Sequence, residues 1–400
     1  MLQLSFVNFR KDTYILVEGK EDADVFYIIQ SGHVKVSHQS AVPGTQPTIL
    51  GPGDFIGVIA CMSQRAQSET CIALSDVTGI AVRRDQYIGL IEKNTPVAMK
   101  IIRTFAQRMR VLNETLMQQT LANSASENFE QIFNVAEYFD NKSEFDVAFF
   151  AYYQYVKTTK EGPRAQKALK RIAVLQKQTR SVYLEPSSDM LRKYPKGTMV
   201  FSEAQSGADM FFIQAGEVKI SKIVDGTEVT LAVLKKGDMF GEMALLENKP
   251  RSAIAIAKED CVLMTINKSN FEQMVASQPQ LIARLTNTLA DRLWIMQRQL
   301  SNTLLGGNPL AKMTDMLALQ VEKMRLAIGK GTQYQTSFTA EDIATMCGFS
   351  QDEQARALRD FMNSPLIKFE KGKIFIPDCL ELLKQAAFYR KQVSRANVTL

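Results

Sequence analysis

Residues 32–73 of this 400-residue chain can be laid on residues 216–257 without a gap, at a constant offset of 184 positions. Gly32 then meets Gly216, Lys35 meets Lys219, Gly53 and Asp54 meet Gly237 and Asp238, Gly57 meets Gly241, and Ala73 meets Ala257. An ungapped internal repeat of this length signals a duplicated domain. Each copy carries short runs rich in Val, Ile and Phe, such as Val25 to Ile29 with Val34 and Val36, and Met210 to Ile213 with Val218 and Ile220. Glycine-containing turns separate the runs, which is the pattern of a small antiparallel β-roll. An apolar content of 46% over this length exceeds one core and suggests two to four domains.

The copies differ chemically over Phe240 to Ala253. In the second copy Gly241 lets the main chain approach a ligand with no Cβ in the way. Glu242 to Leu246 would form a short helix whose free N–H groups suit an anion. Arg251 offers a fixed fork of donors for exocyclic phosphate oxygens, and Glu242 can accept from a ribose hydroxyl, a bond of roughly 1.5–3 kcal/mol. Ser252 and the Ala253 amide complete the cradle. A cyclic nucleotide needs such a cation, carboxylate and close backbone approach together; an exposed Glu–Arg pair would contribute only about 0–1 kcal/mol. The first copy has Val58, Gln67 and Glu69 where the second has Glu242, Arg251 and Ala253. Glu69 beside a phosphate would set two negative charges together, so the first copy reads as a pseudo-site. Arg65, close in sequence, leaves open a different ligand there.

The stretch Phe240, Gly241, Glu242, Met243, Ala244, Arg251, Ser252 and Ala253 resembles the phosphate-binding cassette of cyclic-nucleotide-binding domains. Such cassettes occur in the catabolite activator protein / fumarate-nitrate regulator family and in regulatory subunits of cyclic-nucleotide-dependent kinases. The resemblance implies cAMP or cGMP as an allosteric ligand. It also implies that the helix following the roll, about Gln278 to Leu305, meets the purine near Arg292, Met296 and Gln297. The family's activator has small hydroxyl residues at the latter two positions, and Ser252 serves either base, so the base stays open. After the first roll, Ile102, Phe105, Met109, Leu112 and Leu116 step by 3, 4, 3 and 4, a heptad stripe. The stripe would pack on its own roll or, as the resemblance implies, form the seam of a homodimer.

Between the copies, Phe129 to Leu175 reads as helical, with Ala148 and Ala165 allowing close helix approach. It looks like a single tetratricopeptide unit plus one helix, with Lys142 and Ser143 in place of the usual turn glycine. One such unit cannot bury a continuous core, so it reads as a spacer or a docking platform, the spacer being favoured. Its basic run, Lys160, Arg164, Lys167, Lys170 and Arg171, reads as a solvated face.

Toward the C-terminus, Thr339 with Asp342 and Ser350 with Glu353 are spaced as helix caps, Gly348 suits a tight turn, and Lys368 to Ile376 suits a hairpin around Gly372. Met313 to Ile376 resembles the winged helix-turn-helix of the same family. By that resemblance Arg356 reads base edges with Ser350, Gln351, Glu353 and Arg359 beside it, and Lys371 and Lys373 reach phosphate. Yet Ser350 to Asn363 carries three acids against two bases, a handicap for DNA affinity. Beyond Ile376 a further helix suggests packing only.

The net charge of +6 permits a polyanionic partner without demanding one. No apolar run nears the roughly 20 residues of a membrane span, which with the lack of a signal sequence predicts a cytoplasmic chain. Five cysteines form no C-x-x-C pair and only His33 and His38 are histidines, so no metal site and no catalytic residue is expected. The fold expected is α+β: residues 1–124 a degenerate roll, 125–185 helical, 186–306 the competent roll and 307–400 the winged helix. The function expected is a cyclic-nucleotide-responsive transcription regulator on double-stranded DNA. The alternative is a cyclic-nucleotide-sensing scaffold whose winged helix makes protein contacts.

Overall fold

A computed structural model describes residues 4–38, 48–121 and 129–398, apart from residues 22, 181, 183, 186, 188, 225, 304, 306, 325, 326, 348 and 350. The chain divides into two compact units, one of Met1–Ile101, Val111–Ala122 and Ala283–Leu400, the other of Ile102–Arg110 and Asn123–Ile282.

In the first unit, Ser5–Phe9, Val77–Arg83, Val25–Ser31 and Phe55–Ile56 lie in that order in one sheet, and Tyr14–Leu16, Thr70–Ala73, Val34–Ser37 and Thr48–Leu50 in another. Strand alternation buries Val34 and Val36 and leaves Lys35 and Ser37 half-buried. Those valines share a core with Leu16, Ile29, Ile56, Cys71 and Ala73. The second unit repeats the pair of sheets, with Met199–Phe201, Ile254–Ala257, Val218–Val224 and Thr227–Leu234 in one, and Met239–Phe240, Met210–Ala215, Cys261–Ile266 and Leu191–Tyr194 in the other. Val34 pairs with Ala73 and Val218 with Ala257, so the sequence repeat is also a repeat of strand register. Gly32 and Gly216 close equivalent turns at φ 87° and 83°, where a Cβ would stand 2.2 Å from the Asp76 carbonyl oxygen and 2.4 Å from that of Asp260. No side chain fits there. The architecture is α+β, with two β-sandwiches and helical segments.

The helices Glu130–Asn141, Phe145–Thr158 and Pro163–Leu175 belong to the second unit. They do not stand apart as a spacer. Phe139, Tyr152 and Tyr155 share one core with Met199, Ile223, Ile254 and Ile256 of the roll. Gln131 Nε2 donates to the Ile223 carbonyl at 3.1 Å. The roll therefore closes the apolar face that a further repeat would otherwise cover. Ser143 takes the left-handed turn at φ 60°, where glycine would be unstrained. The basic run is largely neutralised from the first of the three helices, Glu130–Asn141: Arg164 pairs with Glu130 at 2.6 Å, Arg171 with Asp140 at 2.6 Å, and Lys167 with Glu137.

The heptad stripe on Thr95–Leu121 begins with Ile102, Phe105 and Met109, which the single chain already buries. They are therefore not exposed for a seam with a second subunit.

Past the second exit helix, Pro279–Thr303, the first unit continues with Pro309–Lys323, Ala340–Cys347, Gln351–Met362 and Cys379–Val398. A three-stranded sheet in the order Tyr334–Gln335, Lys373–Ile376, Lys368–Glu370 completes it. The reciprocal cap forms: Thr339 N donates to Asp342 Oδ2 at 2.8 Å and Asp342 N to Thr339 Oγ1 at 3.1 Å. Ser350 and Gly348 lie outside the described residues. Asp315, with no solvent exposure, accepts from Arg298 Nη2 at 3.2 Å and Asn302 Nδ2 at 3.1 Å and pairs with Arg390. The C-terminal helix is thereby tied to the exit helix through a buried charge. All five cysteines are free and buried, and burial pushes the Cys61 and Cys347 thiols up to about 12.

Candidate functional site

In the second roll the chain turns at Gly241 (φ 78°, ψ 1°) into the six-residue helix Glu242–Glu247, which Asn248 ends at φ 54°. Arg251 then returns beneath that turn. Its amide donates to the Gln205 carbonyl and its carbonyl accepts from the Ala204 amide, both at 2.9 Å, which fixes the backbone. Nη1 donates to the carbonyl oxygens of Asp209 at 2.7 Å and Gly241 at 2.9 Å. The guanidinium lies 4.3 Å above the Phe201 ring and 5.8 Å from Phe211. Phe240 stacks on Phe211 at 5.2 Å to finish this aromatic floor.

Two glycines make room for the cation. A Cβ on Gly241 would stand 2.8 Å from Nη1, and one on Gly207 would stand 2.7 Å from Nη2 and 2.9 Å from Nε. Arg251 is 6% exposed, and its Nε has no hydrogen-bond partner. An unsatisfied buried donor costs roughly 1–3 kcal/mol, more when charged. Burial lowers the guanidinium to about 10, against the opposing pull of Asp209 and Glu242. It stays cationic at neutral pH. Glu242 is buried close enough to interact electrostatically with it. This is a held cation with spare donor capacity, a carboxylate beside it and a backbone open to close approach.

Phe240, Gly241, Glu242, Met243, Ala244, Arg251, Ser252 and Ala253 all belong to this segment of the second unit. Met243, Ala244 and Ala253 are buried, and Ser252 Oγ lies 3.8 Å from Met243 Sδ. Arg292, Met296 and Gln297 lie on the exit helix beyond Ile282 and count with the first unit. Sequence reasoning missed Phe201, Gly207, Asp209 and Phe211, which hold the guanidinium from below and behind. The signal available was aromatic character at Phe201 against the first roll, where strand register puts Leu16; at Phe211 the first roll has the equally aromatic Tyr27, so no contrast marks that position.

The first roll keeps the backbone and loses the chemistry. Gly57 (φ 75°, ψ 2°) opens Val58–Ser63 and Gln64 ends it at φ 53°, closely matching the second cassette. Gln67 and Glu69 are buried where Arg251 and Ala253 stand in the second roll. Arg65 is committed elsewhere: its Nε meets Asp291 Oδ1 at 2.6 Å and its Nη1 donates to the Glu322 carbonyl at 2.7 Å.

On Gln351–Met362, Ala357 and Phe361 are buried, while Glu353, Arg356 and Arg359 are exposed. The hairpin turns through Lys371 (φ 49°) and Gly372 (φ 74°) between paired Glu370 and Lys373, the signature of a type I′ turn. Lys371 is exposed there and Lys373 half-buried. Among the described residues no cluster of three His, Cys, Asp or Glu could hold a metal ion, and no helix is long and apolar enough to cross a membrane.

The sequence profile of the cyclic nucleotide-binding domain matches residues 6–94 and 191–278, so the chain contains two cyclic nucleotide-binding domains. It is 26% identical over 194 residues to the CRP-like cAMP-activated global transcriptional regulator of Mycobacterium tuberculosis, covering 48% of this chain and 86% of that one. It is 29% identical over 182 residues to the cAMP-activated global transcriptional regulator CRP of Pasteurella multocida, covering 44% of this chain and 85% of that one. It is 26% identical over 267 residues to the cAMP-dependent protein kinase regulatory subunit of Debaryomyces hansenii, covering 67% of this chain and 44% of that one. The chain is thus distantly similar to CRP-type regulators and to kinase regulatory subunits, and it carries domains typical of non-enzymatic regulators.

Proposed function

We propose that, of the two cyclic nucleotide-binding domains, only the second receives a cyclic nucleotide, cAMP or cGMP, and that the chain is a transcription regulator acting through its C-terminal module. The observation that carries the reading is the buried Arg251 guanidinium with an unpartnered Nε over Phe201. A monoanionic cyclic phosphate supplies the missing acceptor, while Glu242 takes the ribose hydroxyl and Ser252 with the Ala253 amide completes the cradle. Arg292, Met296 and Gln297 remain the proposed base-facing positions. Gly207→Ala tests the cradle, because the added methyl collides with Nη2 and Nε and displaces the fork. Calorimetry of the folded variant is expected to give binding weaker by about 1.4 kcal/mol, roughly tenfold. Unchanged affinity would count against the site.

The C-terminal module is read as a winged helix in which Arg356, beside Ser350, Gln351, Glu353 and Arg359, contacts base edges while Lys371 and Lys373 contact phosphate. The exposure of Arg356, Arg359 and Lys371 and the type I′ hairpin support this reading. Arg356→Ala is expected to lose roughly 1–3 kcal/mol of discrimination at one base pair, and Lys371→Ala to weaken all sequences alike and reduce the salt slope by about one. Asp352, Glu353 and Asp360 on the same helix favour a second reading, the cyclic-nucleotide-sensing scaffold with protein contacts only. Selection from random duplex pools with and without cAMP or cGMP separates the two, since a scaffold enriches nothing. We assign residues 1–124, 125–185, 186–306 and 307–400 as the four domains, the second of them tetratricopeptide-like, in a cytoplasmic homodimer.

A further inference from the structure

We infer that the first roll's cassette is a docking site for the chain's own Pro279–Thr303 helix, gripped by Arg65 in place of a nucleotide. Three directed contacts carry this. The Arg65 side chain, 7% exposed, meets Asp291 of that helix at 2.6 Å. Its guanidinium also lies 4.6 Å over the ring of Trp294, one turn along the same helix. The Trp294 indole N–H in turn donates to the carbonyl of Ala66, the residue following Arg65, at 3.0 Å. The exchange is reciprocal: the cassette gives a cation and a carbonyl, and the helix gives a carboxylate and an indole. A fourth contact, Tyr87 Oη to Thr286 Oγ1 at 3.0 Å, is buried and pins the helix two turns earlier. Burial pushes the Tyr87 hydroxyl upward, so it stays protonated as a hydrogen-bonding group.

A cassette engaged in this way has no cation left for a phosphate. Arg65 spends Nε on Asp291 and Nη1 on the Glu322 carbonyl, its flat face is covered by Trp294, and the position of Arg251 is taken by the uncharged Gln67. Arg65 also reaches the next element, because Glu322 lies on Pro309–Lys323. Arg298 of the docked helix meets the Glu322 carboxylate at 2.9 Å and Asp315 at 3.2 Å. The first roll thus anchors both helices that lead into the C-terminal module. Any signal that moves the docked helix has to break the Arg65–Asp291 contact, so the degenerate roll sets a ligand-independent resting position.

Trp294 is the chain's sole tryptophan, so its emission reports this contact in the full-length protein. Without any nucleotide, Arg65→Ala is expected to shift the emission to longer wavelength and raise acrylamide quenching several-fold, with circular dichroism unchanged. Asp291→Asn should move both in the same direction, and the double variant should add less than the sum. Arg65→Lys, which keeps the charge and loses the fork, should fall between and guards against a failure of the alanine variant to fold. Wild-type emission and quenching in the Arg65 and Asp291 variants would overturn the proposal. A second arm uses Arg251→Ala, so that its outcome does not depend on the second roll. Adding cAMP or cGMP should leave Trp294 unchanged there, and a saturable shift lost in the Arg65→Ala, Arg251→Ala double variant would assign the first roll a nucleotide after all.

Discussion

Arg251→Ala will weaken cyclic-nucleotide binding by about 2–5 kcal/mol, roughly thirty- to several-thousand-fold, the usual cost of truncating one partner of a buried charge contact. The guanidinium is held ready before any ligand arrives: two carbonyls fix Nη1, Phe201 supports its face, and Nε is left without an acceptor. Binding an anion therefore requires little reorganisation of the cation. Lysine cannot replace it, because an ammonium is a point charge with no bidentate fork. The effect is measurable as loss of ligand-induced thermal stabilisation, which for an intact site reaches about 2.7 kcal/mol at a hundredfold excess over Kd. Although burial lowers Arg251 to about 10, the side chain is charged throughout the neutral range. Affinity should accordingly be level across neutral pH and fall only in alkali.

Asp315→Ala is expected to destabilise the first unit by about 3–5 kcal/mol, because it removes the fully buried carboxylate that Arg298 and Arg390 share and leaves the buried Arg298 with Glu322 alone. Asp315 has no exposed surface, and Arg298, Arg390 and Asn302 all converge on it. That unit's melting transition should drop by roughly 6–20 °C, and the C-terminal helix should become sensitive to proteolysis. Burial alone would raise the Asp315 carboxyl, but the two guanidinium groups and the Asn302 amide outweigh it and hold it below the usual carboxylate range. The sign follows from that depression. The stabilisation is present at neutral pH, persists above the ordinary carboxylate value, and is lost as pH falls through the lower folded value. Asp315→Asn, which keeps the shape, should lose the pH dependence and part of the stability.

The two rolls were legible from the sequence because register in a β-roll is set by turn glycines and alternation, and both recur at one offset. Gly241, Glu242 and Arg251 were legible because a cation and a carboxylate sit on a short segment. The floor under Arg251 was not. Leu16 pairs with Cys71 and Phe201 with Ala255, so the offset is 201 − 16 = 185 on one strand and 255 − 71 = 184 on its neighbour. The one-residue slip ends the ungapped repeat just short of Phe201 and Gly207. Long-range pairing hid the rest. The acids that neutralise Arg164, Lys167 and Arg171 lie at least 30 positions upstream, beyond any helical i, i+4 pattern. Arg65 finds Asp291 across 226 positions. The heptad stripe reads in favour of an intersubunit face only through the family resemblance, since periodicity marks a buried face and not what covers it.

On this reading only one roll of the pair receives the nucleotide. Isothermal titration of the full-length chain with cAMP and with cGMP tests it through stoichiometry. One site per chain is expected for the preferred nucleotide, with its affinity lowered at least about thirtyfold in Arg251→Ala. Two sites per chain, or a site whose affinity Arg251→Ala leaves unchanged, would contradict it.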